Sequence, residues 1–316
     1  MIRLDKNENC YPLPVFPGIA EGFPLAHYPD YGYLTGLLAA YFSVPAEELL
    51  LTNGADEAID LTIRSVSPRS VIVSEPTFSL YEERAQLYSI PIKKITAGIH
   101  RIPIESFARY TGNKNLTCLA NPANPSGVLY SANELYRLAR NGYGGFFLID
   151  ETYAEFSGVS VIRDRTANMI IVRSFSKAWG LAGLRLGCVI AEKGLIAKMK
   201  SAQLPFSVNA LAVNVMEAAL ADPGYVRSIV TKTKKDRISM ARFFRRQGFE
   251  CRETAANFIL VKPRQCDQFI TRLAEHGIIV KKLNGFENGW VRITVCPIEM
   301  QKALFTTLAN MVAKEV

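Results

Sequence analysis

Short, largely apolar segments of strand length recur through the first two thirds of the chain. Five of them cover residues 70–74, 116–120, 145–149, 169–173 and 186–191. Strands that are apolar on both faces are typical of a parallel sheet buried between two layers of helices. Helical patterns lie between them, for example over residues 56–66, 79–87 and 132–140. This alternation predicts an α/β domain with a mainly parallel sheet and helices on both faces.

The pattern changes in the last third of the chain. Residues 258–261, 278–282 and 291–295 are predicted to be strands, and residues 266–276 and 298–313 to be helices. We interpret this part as a smaller α+β unit and place its boundary within residues 205–225. The predicted domains are a large domain at residues 30–215, a small C-terminal domain at residues 216–316, and an N-terminal arm at residues 1–29. We expect the arm to pack on or near the small domain.

The formal net charge of +8 is concentrated in one segment that we predict to be a long helix. It begins with Asp222 and Pro223, which are typical of an N-cap and a first helical residue, and it ends before Gly248. Its basic residues, opposed only by Asp236, are Arg227, Lys232, Lys234, Lys235, Arg237, Arg242, Arg245 and Arg246. We interpret them as a solvated helix face. A nucleic-acid surface is the alternative, disfavoured because no zinc-finger or aromatic-rich module accompanies the segment.

Composition and spacing disfavour several classes of protein. No apolar run approaches the ~20 residues that span a bilayer, and the charged residues 1–6 lack the apolar core of a secretory signal. The six cysteines have no Cys-x-x-Cys spacing and the three histidines are scattered, so we predict no metal site. Widely spaced cysteines indicate reduced thiols and a cytoplasmic protein.

The first candidate functional group follows the apolar residues 145–149. These residues lead directly into Asp150, Glu151, Thr152 and Tyr153. A carboxylate at the end of a buried strand is costly unless it meets a cation or a strong donor. A protonated pyridine nitrogen, as in pyridoxal phosphate (PLP), would be such a cation, and an acidic partner keeps that ring an electron sink. Taken alone, an acid here is also typical of a helix N-cap.

The second candidate group follows residues 169–173. Lys177 lies beside two hydroxyl residues, Ser174 and Ser176, and Arg185 follows shortly after. The neutral amine of a lysine can condense with an aldehyde. Hydroxyls and a guanidinium are suitable donors for a phosphate. A lone lysine is more often a surface residue, so this hypothesis depends on the residues around it.

The third candidate is a helix start. Asn53 and Gly54 form a predicted turn, after which the free N–H groups of Ala55 and Asp56 would face an anion. The signal is weak alone, because capped helix starts are common.

Together these segments resemble the fold-type-I PLP aminotransferases, and specifically their histidinol-phosphate aminotransferase branch. The resemblance covers nearly the whole chain in consistent order. The segments that carry it are Asn7-Glu8-Asn9, His27-Tyr28-Pro29-Asp30, Asn53-Gly54-Ala55-Asp56-Glu57, Pro76-Thr77-Phe78-Ser79-Leu80-Tyr81, Asn121-Pro122-Ala123-Asn124-Pro125-Ser126-Gly127, Asp150-Glu151-Thr152-Tyr153, Ser174-Phe175-Ser176-Lys177-Ala178, Gly183-Leu184-Arg185 and Val291-Arg292-Ile293-Thr294-Val295.

The resemblance implies a PLP enzyme whose Lys177 forms the Schiff base with the cofactor and shuttles a proton. Asp150 would hold the pyridine nitrogen, and Asn124 and Tyr153 would bind the phenolic oxygen of the ring. Phe78, where the family more often has tyrosine, would stack on the ring. The residues implied around the phosphate are Ala55, Asp56, Ser174, Ser176, Arg185 and, from a second subunit, Tyr28.

The resemblance also implies an amino donor and a 2-oxo acid as substrates. Arg292 is similar to the arginine that binds the anionic end of the substrate, with Asn7 and Tyr28 nearby. Lys281 stands where the family has a second anion-binding arginine, and a lysine offers charge without a planar fork. Histidinol phosphate with 2-oxoglutarate is the implied pair. A symmetric homodimer is implied as well.

Other activities are compatible with the same residues. A decarboxylase similar to threonine-phosphate decarboxylase would have the same fold and would use Lys177 and Asp150. A transaminase for another amino acid and a non-catalytic PLP-binding module are further alternatives. A nicotinamide-dependent oxidoreductase is disfavoured, because no Gly-x-Gly-x-x-Gly turn follows the first strand.

Overall fold

Strands and helices alternate through most of the chain. The structure, a computed structural model, describes residues 1–14, 16, 26–96, 100–284 and 289–313. The strands within these ranges are β1 (Ile2–Arg3), β2 (Leu49–Thr52), β3 (Val71–Glu75), β4 (Ile92–Thr96), β5 (Leu116–Ala120), β6 (Phe146–Asp150), β7 (Met169–Ser174), β8 (Gly187–Ile190), β9 (Glu250–Glu253), β10 (Phe258–Lys262), β11 (Ile278–Ile279), β12 (Lys281–Lys282) and β13 (Val291–Thr294).

The helices in the same ranges flank these strands. They are α1 (Tyr31–Phe42), α2 (Gly54–Val66), α3 (Leu80–Leu87), α4 (Glu105–Ala108), α5 (Ala132–Asn141), α6 (Ala154–Ser157), α7 (Lys193–Ala202), α8 (Ala210–Ala221), α9 (Gly224–Arg246), α10 (Cys266–Glu275) and α11 (Ile298–Ala313).

A seven-stranded sheet organises the first part of the chain, in the order β2-β8-β7-β6-β5-β3-β4. Six of these strands run in the same direction, and β8 runs opposite to them. Successive residues of β6 pack on opposite faces of the sheet. Phe147 and Ile149 pack with α1, α5 and α8, while Leu148 packs with α2, α3 and α7. The α/β prediction, with a mainly parallel sheet and helices on both faces, is confirmed.

The sheet aligns the ends of three strands that carry the candidate residues. Asp150 ends β6 and Ser174 ends β7, and both strands run in the same direction. Gly187 opens β8 between Ser174 and Thr52, the last residue of β2. The carboxyl ends of parallel strands meet at one edge, which is where open α/β sheets bind ligands.

A second, four-stranded antiparallel sheet lies near the C-terminus, in the order β12-β13-β10-β9. Its core is formed with α9, α10 and α11, and it also contains Leu4 from the start of the chain. Strand β1 pairs in parallel with β11, so residues 2–3 are tied to this unit. The arm at 1–29 was expected to pack here; residues 15 and 17–25 of it lie outside the described residues.

The prediction of one strand at 278–282 is wrong. Ile278 and Ile279 pair with β1, whereas Lys281 and Lys282 pair with β13 in the other sheet. Val280 separates the two pairs and is buried. Two different partners therefore divide a segment that looks continuous in the sequence.

The long basic helix is α9, and its predicted start is wrong by one residue. Pro223 is the N-cap rather than the first helical residue, and Asp222 Oδ1 accepts a hydrogen bond of 3.0 Å from the N–H of Gly224. Asp222 therefore still binds a free N–H of the helix, although it lies one residue before the N-cap. Arg227, Lys232, Lys235, Arg242, Arg245 and Arg246 are exposed, and the absence of nucleic-acid binding stays a prediction.

Three further observations concern the described ranges. No helix in them is long and apolar enough to cross a membrane. No group of three or more acidic, cysteine or histidine side chains there could hold a metal ion. All six cysteines are described, and each has a free thiol.

Candidate active site

The start of α2 and the loops around β8 form a cradle of backbone and cationic groups. The first N–H groups of a helix have no partner within it, and here they belong to Gly54, Ala55 and Asp56. A Cβ on Gly187 would lie 2.7 Å from the carbonyl carbon of Gly54 and 2.8 Å from the nitrogen of Ala55. Only glycine fits at this approach of β8 to the helix start. Arg185 Nη2 donates to Asp56 Oδ2 at 2.9 Å, which brings a guanidinium to the same helix end.

Two hydroxyl side chains lie at the end of β7. Ser174 and Ser176 are both buried, and the N–H of Ser176 donates to Ser174 Oγ at 3.3 Å. Gly187 pairs directly with Ser174 across the sheet, so the hydroxyls and the start of α2 flank the same glycine. Free N–H groups, hydroxyls and a guanidinium are the donors that a phosphate needs.

Asp150 is a buried carboxylate held by two neutral donors. Its Oδ2 accepts a hydrogen bond of 2.7 Å from the Tyr81 hydroxyl, and its Oδ1 accepts one of 3.0 Å from the N–H of Thr152. Burial raises the pKa of Asp150 above its ordinary value, although both hydrogen bonds oppose that rise. Among the described residues no cation pairs with it. A protonated pyridine nitrogen would supply that charge, so Asp150 and the glycine-lined cradle together fit PLP.

Lys177 follows β7 by three residues and is partly buried. Its Nζ donates a hydrogen bond of 3.0 Å to the carbonyl oxygen of Lys6. The amine therefore faces the N-terminal segment, on the side of the sheet edge that carries Asp150 and Ser174.

Arg292 on β13 is a buried guanidinium that the N-terminal segment also contacts. Its Nη1 donates to Asn124 Oδ1 at 2.6 Å and its Nη2 donates to the carbonyl oxygen of Asp5 at 2.8 Å, while its buried Nε has no partner. Burial lowers the pKa of Arg292 below its ordinary value. An anion would compensate such a buried guanidinium. Next to Asp5, Asn7 Nδ2 donates to the Tyr153 hydroxyl at 3.0 Å.

Asn7 is fixed by several contacts with the small sheet. Its backbone φ of 53° lies in the left-handed region, where asparagine is tolerated better than most residues. Its N–H donates to Thr294 Oγ1 at 3.1 Å, and its carbonyl accepts from Asn257 Nδ2 at 3.1 Å. These contacts hold residues 5–7 across Arg292 and Lys177.

Three predicted site residues lie at the margin of this region. Lys281 pairs directly with Arg292 across two antiparallel strands, so both side chains lie on one face of the sheet, and Lys281 is exposed. Phe78 is partly buried and meets the Tyr81 ring edge to face, with 5.9 Å between centroids. Tyr28 is 77% exposed and stacks on Phe206 at 4.1 Å. Within this one chain, Tyr28 lies outside the site.

Sequence reasoning missed a buried ion cluster directly beneath the site. Arg173 Nη1 lies 2.7 Å from Glu151 Oε2, and Arg173 Nη2 lies 2.5 Å from Glu155 Oε1. Glu151 follows Asp150 and Arg173 precedes Ser174, so the cluster joins the ends of β6 and β7. A charged residue inside the apolar residues 169–173 was the available signal.

Comparison with known proteins agrees with this geometry. A family model described as aminotransferase class I and II matches residues 1–308. The histidinol-phosphate aminotransferase of Thermococcus gammatolerans is 30% identical over 304 residues, which cover 93% of this chain and 87% of that relative. Histidinol-phosphate aminotransferase 2 of Carboxydothermus hydrogenoformans is 31% identical over 331 residues, which cover 98% and 90%.

Solved structures share the fold along the whole chain. The histidinol-phosphate aminotransferase of Sinorhizobium meliloti in complex with pyridoxal-5'-phosphate superposes with a TM-score of 0.88 at 22% identity, covering 100% of this chain and 92% of that one. L-threonine-O-3-phosphate decarboxylase of Porphyromonas gingivalis superposes with a TM-score of 0.82 at 22% identity, covering 99% and 100%. At these identities the likeness concerns the fold alone.

The fold is that of the PLP-dependent proteins of fold type I. The chain belongs to the aminotransferase class I and II family, whose members use PLP to transfer an amino group from a donor to a 2-oxo acid. The predicted class of enzyme and its cofactor are confirmed.

Proposed function

We propose that this enzyme transfers the amino group of histidinol phosphate to 2-oxoglutarate. One observation carries the proposal: Asp5, Lys6 and Asn7, three successive residues, contact Arg292, Lys177 and Tyr153 respectively. An anion-binding group, an amine and a phenol from distant parts of the chain therefore face one short segment. The names of the relatives at about 30% identity supply the substrate pair.

The proposed cofactor contacts come from residues at the sheet edge and at its margin. Asp150 holds the pyridine nitrogen, Phe78 packs on the ring, and Asn124 and Tyr153 bind its phenolic oxygen. The residues proposed for the phosphate are Ala55, Asp56, Ser174, Ser176 and Arg185. When bound, PLP supplies an aldehyde that takes the amino group and a ring that withdraws electrons from the substrate Cα.

Lys177 has two proposed tasks, to hold the cofactor covalently and to move a proton. A lysine amine takes up a proton only through its free lone pair, so its N–H bonds determine where that pair points. In the structure one N–H is directed to the Lys6 carbonyl, 3.0 Å away. Because that contact uses an N–H as donor, it would orient the amine and leave the lone pair of its neutral form free.

Arg292 is proposed to bind the anionic end of both substrates. Its Nη2 donates to the Asp5 carbonyl, and its buried Nε is unpaired. A carboxylate or phosphate accepts two parallel hydrogen bonds from a guanidinium, which a neutral carbonyl does not match. Lys281, on the same face of the sheet, adds a second positive charge, and Asn7 closes the site from the other side.

The proposal also covers the oligomeric state, the domain division and the location of the enzyme in the cell. A symmetric homodimer would let the exposed Tyr28 reach the phosphate of the second copy. The division into an arm at 1–29, a large domain at 30–215 and a small domain at 216–316 is part of the proposal, as is a cytoplasmic location. Sedimentation of the purified protein tests the dimer.

A stopped-flow absorbance assay tests the substrates. The PLP-loaded protein is mixed separately with histidinol phosphate, glutamate, threonine phosphate and a panel of amino acids. Conversion to the pyridoxamine form by histidinol phosphate and glutamate is the expected result. Conversion only by other amino acids would keep the transamination and reject the substrate. Release of carbon dioxide from threonine phosphate would favour the decarboxylase instead.

A further inference from the structure

We propose that Tyr81 is a positioning residue that fixes both the Asp150 carboxylate and the Phe78 ring for the cofactor. The inference rests on the proposed function of the site. It assigns a role to a buried hydroxyl that the proposed function leaves without one.

Tyr81 is in contact with both Asp150 and Phe78. Its side chain is fully buried, in the first turn of α3, three residues after Phe78. Its hydroxyl donates to Asp150 Oδ2 at 2.7 Å, and its ring meets Phe78 edge to face at 5.9 Å with an interplanar angle of 89°. One side chain therefore contacts both the proposed partner of the ring nitrogen and the proposed partner of the ring face.

The Asp150 carboxylate has one torsion that the backbone does not fix. Strand β6 fixes the backbone of Asp150, but the carboxylate can still rotate about its last torsion, which is broad for aspartate. The Thr152 N–H holds Oδ1 and the Tyr81 hydroxyl holds Oδ2. Each oxygen has a second lone pair, so a ring N–H can still be accepted. Without the hydroxyl, one oxygen loses its donor and the plane of the carboxylate is no longer set.

The Tyr81 hydroxyl also affects the pKa of Asp150. A hydrogen bond to the ionised carboxylate opposes the effect of burial, which raises the pKa of Asp150. Loss of the Tyr81 hydroxyl raises that pKa further and favours the neutral acid, a weaker partner for a pyridinium. The other titratable groups that influence the pair are Asp56 from α2, Cys118 from β5 and Tyr153 after β6.

The test measures the PLP dissociation constant of Tyr81→Phe by absorbance and fluorescence titration. Phenylalanine keeps the ring that packs on Phe78 and removes only the hydroxyl. A hydrogen bond to a charged group is strong enough that we expect the dissociation constant to rise about ten-fold or more. The matched control is Tyr88→Phe, because Tyr88 at the other end of α3 also donates to an aspartate, Asp60, at 2.7 Å. The control is expected to stay within about two-fold of wild type.

A double-mutant cycle with Asp150→Asn separates positioning from a general structural role. If Tyr81 acts through Asp150, adding Tyr81→Phe to Asp150→Asn changes the dissociation constant by less than about two-fold. A ten-fold loss in both backgrounds would overturn the inference. So would wild-type affinity in Tyr81→Phe, or a cofactor-free Tyr81→Phe that fails to fold by circular dichroism while Tyr88→Phe folds.

The absorbance of the bound cofactor as a function of pH gives an independent readout. We expect the apparent pKa of this absorbance to shift in Tyr81→Phe and to match wild type in Tyr88→Phe. An unshifted profile in Tyr81→Phe would contradict the inference while leaving the proposed function intact. Absence of PLP binding by the wild-type protein would instead contradict the proposed function, and this inference with it.

Discussion

The buried ion cluster beneath the site allows a quantitative prediction for Arg173→Met. The Arg173 guanidinium contacts Glu151 at 2.7 Å and Glu155 at 2.5 Å, and it lies over the Phe42 ring at 5.2 Å. The side chains of Arg173 and Glu151 are 7% and 1% exposed. Methionine fills much of the same volume, so the substitution mainly removes the positive charge and its hydrogen bonds.

The expected loss follows from the carboxylates that remain. Removing one partner of a buried ion pair costs about 3–5 kcal/mol, because an uncompensated charge stays buried. The Ser160 hydroxyl and the Val161 N–H still donate to Glu151, which places the estimate at the lower end of that range. A loss of about 3 kcal/mol is a large part of the ~5–15 kcal/mol by which typical domains are stable.

The loss should also depend on pH, and its sign follows from Glu151. Burial raises the pKa of Glu151 even with Arg173 present, and removing the guanidinium raises it further. The pKa of a glutamate in the unfolded chain is about 4.3. Above that pH, Glu151 of the folded variant keeps a proton that the unfolded chain releases. Stability of the variant therefore falls as pH rises, by up to ~1.4 kcal/mol per pH unit until the folded pKa is passed. The deficit relative to wild type is larger at pH 8 than at pH 5.

Urea denaturation of the cofactor-free protein at both pH values measures this deficit without the stabilisation that bound PLP adds. The matched control is Arg137→Met, because Arg137 pairs with Glu105 at 2.6 Å on the surface, with side chains 58% and 67% exposed. Exposed pairs contribute less than about 1 kcal/mol. A deficit in Arg173→Met no larger than in the control, at both pH values, would refute the reasoning.

Three further substitutions test the proposed site. Lys177→Ala should reduce kcat by about 10³-fold or more, because no other residue is proposed for its two tasks; near-normal turnover would exclude the mechanism. Arg292→Lys should raise KM for anionic substrates about ten-fold or more, since the planar fork is lost, and unchanged KM values would make Arg292 structural. Gly187→Ala should weaken PLP binding about ten-fold, because its Cβ would lie 2.7 Å from the Gly54 backbone. Gly183→Ala, with no atom within 4 Å of its added Cβ, should bind PLP normally, and equal dissociation constants for the two variants would contradict the cradle.

The fold of the large domain could be predicted because its strands are apolar on both faces. The observed strands β5, β6 and β7 lie within one residue of their predicted ranges. The same reasoning failed at 278–282, where two short strands have different partners. Apolar patterning reports burial but not the identity of the partner strand. The start of α9, predicted from Asp222 and Pro223, was wrong by one residue, because an aspartate can bind a free helix N–H from either position.

The candidate site, too, could be predicted from the sequence only in part. Asp150 and Lys177 could be singled out because each follows a buried strand, and the structure places them at one sheet edge. The contacts from the Asp5 and Lys6 carbonyls could not be predicted, since every residue type has a carbonyl. Tyr81 stands in the same segment as Phe78, but its hydrogen bond to Asp150 could not be predicted, because the two residues lie 69 positions apart in the chain. The roles of all these residues stay predictions until they are measured.

Covalent attachment of the cofactor to Lys177 is the most direct test of the central claim. The PLP-loaded protein is reduced with borohydride, digested, and mapped by mass spectrometry. The account predicts a single reduced PLP adduct, on the peptide that contains Lys177. An adduct on another lysine, or no adduct in protein that has bound PLP, would contradict it.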